Sequence, residues 1–446
     1  MNQEQSSPAD SAIGPIALID SGPISGTREG DIVSFKGIPY AAPPVGALRW
    51  RAPQPVEPWT QVRITADFAA DSMQTPYAQR PAASEDSLYL NVWAPAGGTG
   101  NKPVLVWIHG GGFVNGSPSR PYYSGAELAS RDVVVVSFNY RLGRFGFFAH
   151  PQLTREQEQC EALGSYAVMD QIAALQWVQR NIAVFGGDPG NVTVMGESAG
   201  GTSVHMLLTS PHARTLMHKA VILSGGDGRE QSDLNQAERA GVAFAQTHGI
   251  FEENPQAVEQ LRQLGAQDIV GDLSLASRLD TSSLPQTYAL PLKDGSVAVD
   301  ILDAYRKGRY SRVPVIIGAT SDDLFGPNGS MVVGAKTIAD HLAKWGEETF
   351  HFRFTYVAQS IEAAHPRGAT HSSEIPYFMG TLKHRYADQV TVRDLQASQI
   401  ASGYLVNFLS TGNPNGEGLP TWPTYLTESP QLVDFDANGG IEVFED

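Results

Sequence analysis

The chain is almost without cysteine. Cys160 stands alone among 446 residues, so no disulfide can close within the chain, which fits a reducing compartment. Positive charge is scarce as well: 31 Lys and Arg stand against 47 Asp and Glu, a formal net charge of −16. So few cations cannot build a phosphate-tracking surface, and nucleic acid is not an expected partner. Long apolar runs are missing too. Val104–Ile108 and Val133–Val136 are typical of the longest, far short of the roughly 18 to 20 residues of a membrane span. Met1 to Ala12 are polar and acidic, without the basic start and apolar stretch of a secretory leader. A cytoplasmic location is therefore expected, although a secreted form with its leader already removed would read the same. There is no His-x-x-x-His pair and no alternating acidic calcium loop, so neither a metal nor another cofactor is expected.

What the chain has is core material. Hydrophobic residues make up 41% of it, and beyond a loosely ordered tail, residues 1–12, the texture is uniform. Short apolar runs alternate with helical-period segments, the pattern of an α/β sheet protein. Val104–His109, Val133–Phe138, Val192–Met195, Ala220–Leu223 and Val313–Gly318 are rich in Val, Ile and Leu and read as strands buried on both faces. Val168, Ile172, Leu175 and Val178 recur at four- and three-residue steps, which predicts a helix. His351–Val357 alternates and reads as a late strand near the sheet edge. The helical stretches Glu230–Leu279 and Lys336–Glu348 interrupt the strand series. In an open α/β sheet such insertions lie over the carboxyl ends of the strands. The expected organisation is one domain over 13–446, with cap material around 227–312 and 326–349.

Two glycine motifs carry chemistry. Gly196-Glu197-Ser198-Ala199-Gly200 leaves the strand Val192–Met195 and enters a helix-like run, Thr202–Leu208. Strand, tight turn and helix place Ser198 on a nucleophile elbow, with its hydroxyl exposed and glycines where side chains would clash. His109-Gly110-Gly111-Gly112-Phe113 follows another buried strand. Its amides, unshielded by side chains, can point at a tetrahedral oxyanion together with the amide of Ala199. A phosphate loop would instead want Lys and then Ser or Thr after the glycines. In the α/β-hydrolase arrangement an acid and then a histidine follow the serine. Asp322 and Asp323 lie just beyond the Val313–Gly318 strand, and His365 and His371 follow the strand after that. Pattern alone leaves two acids and two histidines.

The sequence resembles the type-B carboxylesterases, the group that includes cholinesterases, bile-salt lipases and bacterial p-nitrobenzyl esterases. The matching stretches are Phe35-Lys36-Gly37-Ile38-Pro39-Tyr40 with Leu48-Arg49-Trp50, then Ser84-Glu85-Asp86-Ser87-Leu88-Tyr89-Leu90-Asn91-Val92 and Asn139-Tyr140-Arg141-Leu142-Gly143. Asp170-Gln171, Trp177, Asn181-Ile182 and Phe185-Gly186-Gly187-Asp188-Pro189 lead into the elbow, and Thr411-Gly412-Asn413-Pro414 with Trp422-Pro423 matches near the end. The resemblance implies an α/β-hydrolase fold, a mostly parallel central sheet flanked by helices with helical cap insertions. It implies a carboxylic-ester hydrolase working through an acyl-enzyme, without cofactor, on a small-molecule ester, as a monomer or homodimer.

Carried over position by position, the resemblance implies Asp323 as the acid, being the second of the acidic pair. It implies His371 as the histidine, because Glu374 and an apolar run follow it. Gly111, Gly112 and Ala199 are the implied oxyanion donors, with Glu197, Ser224 and Glu374 in support. Ser87 stands where many secreted members have a cysteine, so their early disulfide is absent. Only 48 positions separate Asp323 from His371, fewer than the family spacing, which implies less covering material and a more open pocket for bulky or flexible esters. No tryptophan around Asp71–Tyr77 matches the cholinesterase choline site, so quaternary ammonium esters are not expected.

Overall fold

A computed structural model of the protein describes residues 14–76, 83–98, 100–157, 164–280 and 285–445. The tail expected at residues 1–12 and Cys160 lie outside these. Eleven strands form one sheet, in the order Ile441–Glu445, Gln431–Phe435, Thr349–Phe354, Val315–Thr320, Lys219–Leu223, Gly187–Glu197, Lys102–Ile108, Val134–Phe138, Tyr89–Pro95, Ile32–Pro39 and Thr27–Glu29. Every neighbouring pair from Gln431–Phe435 to Val134–Phe138 is parallel, and antiparallel strands finish both edges. The central strands bury both faces, which is why they read as unbroken apolar runs and not as alternations. Val168, Ile172, Leu175 and Val178 are buried on the helix Tyr166–Asn181, as their spacing predicts. A separate small sheet is built from Ile16–Ile19, Gly22–Ser25 and Arg63–Ile64.

Register is what positions the site. Ile108 lies opposite Gly196, Leu223 opposite Glu197, and Leu223 also opposite Gly318. The carboxyl ends of these parallel strands therefore come out level. The segments that follow them, beginning at His109, Ser198, Ser224 and Ser321, meet over one edge of the sheet, where open α/β folds bind ligands.

One sequence expectation is sharpened here and another corrected. Thr349–Phe354 lies near the sheet edge but inside it, third from the end, with Gln431–Phe435 and Ile441–Glu445 paired beyond it. Its alternation comes from an aromatic layer. Phe352 and Phe354 pack with Phe378 and Phe435 on one face, and Phe352 also meets Trp422. The segment 326–349, expected as cap, instead supplies the crossover helix Ser330–Lys344 between the parallel strands Val315–Thr320 and Thr349–Phe354, and packs against both. Adjacent parallel strands need such a crossover, and Ile338, Ala339 and Leu342 bury its inner stripe. Only its first turn, through Ser330 and Met331, reaches the cleft near the site.

The connection 227–312 does carry a run of short helices, Leu234–Thr247, Ala257–Gln263, Ala266–Val270, Leu275–Leu279 and Ile301–Arg306. The fourth lies on the glycine loop, where a Cβ at Gly112 would meet Arg278 Cγ at 2.7 Å and Leu275 Cδ1 at 3.3 Å. Ser87, at the implied cysteine position, is fully buried and its hydroxyl meets that of Ser72 at 3.0 Å. Among the described residues no helix is long and apolar enough to cross a membrane.

Candidate active site

Ser198 ends the strand Gly187–Glu197 and starts the helix Ala199–Thr209, with φ 57° and ψ −124°. A non-glycine residue in so sparsely populated a conformation costs about 1–3 kcal/mol, and the packing around it holds it there. A Cβ on Gly200 would stand 2.1 Å from the Ile108 carbonyl oxygen, and one on Gly196 would stand 2.3 Å from the Gly200 oxygen. Both neighbours of the elbow therefore have to be glycine, so the turn can press against the adjacent strand.

The loop after Thr320 presents Asp323, and the loop carrying His371 is fastened to it. Asp322 bridges Thr370 in parallel fashion, its amide donating to the Ala369 carbonyl at 2.9 Å, while the Ala369 amide donates to Ser321 Oγ at 3.1 Å. This clamp separates the candidates that pattern left open. Asp322 turns to Arg367 at 3.1 Å, and His365 caps a short 3₁₀ turn, Glu362–Ala364. Asp323 Oδ1 meets His371 Nδ1 at 2.6 Å, and His371 Nε2 meets Ser198 Oγ at 2.9 Å. The carboxylate selects the tautomer with hydrogen on Nδ1, leaving Nε2 to accept the serine proton.

Asp323 is held as an anion. Burial pushes its pKa up, but hydrogen bonds with His371, Ser224 and Thr320 outweigh that and keep it below the usual value. Its Oδ2 accepts from Ser224 Oγ and Thr320 Oγ1, both at 2.7 Å, and from the Thr320 amide at 3.2 Å. The Leu324 amide donates to Oδ1 at 2.7 Å. Glu374, fully buried, lies 3.2 Å from Ser224 Oγ. Burial, with the charges of Glu197 and Asp323, raises its carboxyl to about 8. The Ser224 hydroxyl thus stands between two carboxyl groups, 2.7 Å from Asp323 Oδ2 and 3.2 Å from Glu374 Oε1.

Glu197 is buried on the other side of the imidazole, with Oε1 3.2 Å from His371 Nε2. Burial raises its pKa against the opposing pull of His371 and of the Ser372 hydroxyl, which donates to Oε1. Its charge is most favourable once Nε2 is protonated. For His371 burial acts downward, but Glu197, the Asp323 hydrogen bond and charge, and Glu374 together raise it to about 9.

Gly111 and Gly112 have φ 114° and 63°. A Cβ on Gly111 would sit 2.0 Å from the Asn115 carbonyl oxygen, so the loop doubles back in a way only glycine permits. Among the described residues no protein acceptor takes the amides of Gly111, Gly112 or Ala199, and the Ala199 amide opens a helix next to Ser198, where negative charge is favoured. Thr320, the Leu324 amide and Ser372 were not singled out from the sequence. Thr320 and the Leu324 amide hold Asp323 from within its own loop, and their part depends on which acid of the pair turns inward, whereas Ser372 meets Glu197 only when two distant segments come together. Among the described residues no group of three or more His, Cys, Asp or Glu could hold a metal ion.

Residues 14–328 and 327–443 match the carboxylesterase family. The chain is 32% identical over 474 residues to the fumonisin B1 esterase of Sphingopyxis macrogoltabida, covering 91% of this chain and 83% of that enzyme. It is 33% identical over 479 residues to the para-nitrobenzyl esterase of Bacillus subtilis strain 168, covering 96% of each. A solved PNB esterase superposes with a TM-score of 0.84 at 30% identity over 97% of both chains. The carboxylesterase of Geobacillus stearothermophilus gives 0.81 at 30% identity over 97% of this chain and 98% of its own. The chain belongs to the carboxylesterase family and is a serine ester hydrolase with the α/β-hydrolase fold.

Proposed function

We propose that Ser198, His371 and Asp323 perform the hydrolysis, with Gly111, Gly112 and Ala199 as the oxyanion donors. The observation that carries this is the unbroken hydrogen-bonded line from Ser198 Oγ through both imidazole nitrogens to Asp323. His371 Nε2 takes the serine proton as Oγ attacks the ester carbonyl. Asp323 and Glu197 stabilise the imidazolium, and the three amides take up the oxyanion. The imidazolium then protonates the departing alcohol, and water repeats the sequence on the acyl-enzyme. Ser224 and Glu374 hold Asp323 in place.

One arm of the substrate is proposed to lie in a cleft of 140 Å³ lined by Thr202, Leu279, Leu324, Phe325 and Met331, with Arg229 and Arg278 at its polar side. Both arginines are paired internally, with Asp227 and Glu230, which favours an uncharged arm. Phe325, the only aromatic among the described residues lining it, is 67% exposed. That fits the more open pocket expected from the short Asp323–His371 segment. Small-molecule esters, para-nitrobenzyl esters among them, are the first substrates to assay. The lone Cys160 and the Ser72–Ser87 pair support a reducing, cytoplasmic setting, and a monomer or homodimer is the proposed state.

The experiment is hydrolysis of p-nitrophenyl acetate, butyrate and octanoate across pH 5 to 10, corrected for the spontaneous reaction. Attack requires neutral His371, so activity climbs as the imidazolium loses its proton. With that pKa raised to about 9, the acid limb of kcat/KM is expected well above the ordinary histidine value of about 6.5. A limb at or below 6.5 would show that the buried carboxylates do not act on His371. Absence of hydrolysis on all three esters, together with no labelling by an organophosphonate, would refute the reading itself.

A further inference from the structure

Ser372 is one of the few non-glycine residues with a left-handed backbone, φ 69°. It directly follows His371, and its hydroxyl donates to Glu197 Oε1. Glycine would take that conformation without strain, so the serine is held there against its backbone preference, and its hydroxyl is what a glycine would lack. Strain of this kind, kept beside reacting groups, points to a use.

We propose that Ser372 is a positioning residue for the reaction: its hydroxyl holds Glu197 as a carboxylate oriented toward His371. The proposal rests on the triad reading above. Glu197 is enclosed. Gly110 packs so closely that a Cβ there would stand 2.7 Å from Oε2. The charged and titratable groups facing Glu197 are His371, Asp323, Arg120 and Glu374, with the Tyr123 and Tyr140 hydroxyls in range. Burial and the Asp323 carboxylate oppose its charged form; His371, the Ser372 hydroxyl and Arg120 favour it. Removing the hydroxyl therefore favours protonated Glu197. The loss of that negative charge then lets the His371 proton leave more easily, and leaves the imidazolium formed during attack less stabilised.

The test uses Ser372→Gly and Ser372→Ala in the full chain, each also placed in a Glu197→Gln background. Esterase pH profiles and melting temperatures are recorded for all. Both single variants lack the hydroxyl, but only glycine relieves the backbone. The expected result is an acid limb of kcat/KM shifted down by about one pH unit in both, with the plateau lowered by about tenfold. The melting temperature of Ser372→Gly holds or rises, because glycine accepts the left-handed φ. In the Glu197→Gln background neither variant shifts the limb further, as expected of coupled neighbours. An unmoved limb in both single variants would overturn the proposal, as would a shift in glycine but not alanine, or an equal shift without Glu197. Failure of the triad reading is seen separately, as turnover that survives Ser198→Ala whatever stands at position 372.

Discussion

Ser198→Ala is expected to lower kcat/KM for p-nitrophenyl butyrate by about 10⁵- to 10⁶-fold while leaving the melting temperature close to wild type. The size follows from how such sites work as a unit: without the nucleophile the base has nothing to activate, and only binding and oxyanion stabilisation remain. The intact fold follows from the elbow. Alanine has the same Cβ as serine and bears the same penalty at φ 57°, so no new strain enters. Ser198 is already buried to 9% exposure, and removing one hydroxyl leaves no large cavity. The one orphaned group is His371 Nε2, which faces Glu197 at 3.2 Å and can keep a proton there. Activity assays and thermal melts on the purified variant check both halves. Turnover within tenfold of wild type would place the nucleophile elsewhere.

Asp323→Asn is expected to cost about 10³- to 10⁴-fold in kcat, with a smaller change in KM. Every neighbour of this carboxylate donates: His371 Nδ1 and the Leu324 amide to Oδ1, and Ser224, Thr320 Oγ1 and the Thr320 amide to Oδ2. An asparagine must turn its NH₂ toward one set or the other. Facing Oδ1's partners, it confronts the Leu324 amide and forces His371 into the tautomer with hydrogen on Nε2, which cannot take the serine proton. Facing Oδ2's partners, it can use the two hydroxyls, which rotate to accept, but it still meets the Thr320 amide. Even in that better orientation the negative charge beside the imidazolium is gone. The acid limb of the pH profile should therefore move down as kcat falls, because the anion that raises His371 has been removed. A kcat within threefold of wild type would show that Asp323 is not the residue that orients the histidine.

Parts of the site were legible from sequence because they answer to local backbone demands. The elbow glycines and the glycine run after Ile108 announce turns that no other residue could make, and the buried strands before them are plain in their Val and Ile content. Asp323 against Asp322, and His371 against His365, were not separable by pattern. Which member of each pair turns inward depends on the bridge from Asp322 to Thr370, a contact across 48 positions, and it took the family resemblance to choose. The helix Ser330–Lys344 was misassigned for a related reason. Amphipathicity says that one face is covered, and says nothing about whether a cap or a sheet covers it. The last two strands went unread because Asp434 interrupts the apolar run of Gln431–Phe435 and because Ile441–Glu445 is largely exposed.

The clamp between the two loops has a wider meaning for how such an enzyme can change. Because the segment just before His371 is tied to the segment just before Asp323, the acid and the base travel as one piece. The intervening stretch, apart from its strand, need not hold a particular length to keep them aligned. Residues can be gained or lost on the outer side of residues 355–367 while the proton-transfer distances stay as they are. Of the 48 positions between the two, 15 go to the crossover helix Ser330–Lys344 and 6 to the strand Thr349–Phe354. A change of length in residues 355–367 alters the protein's surface and leaves the acid-to-base distance to the clamp.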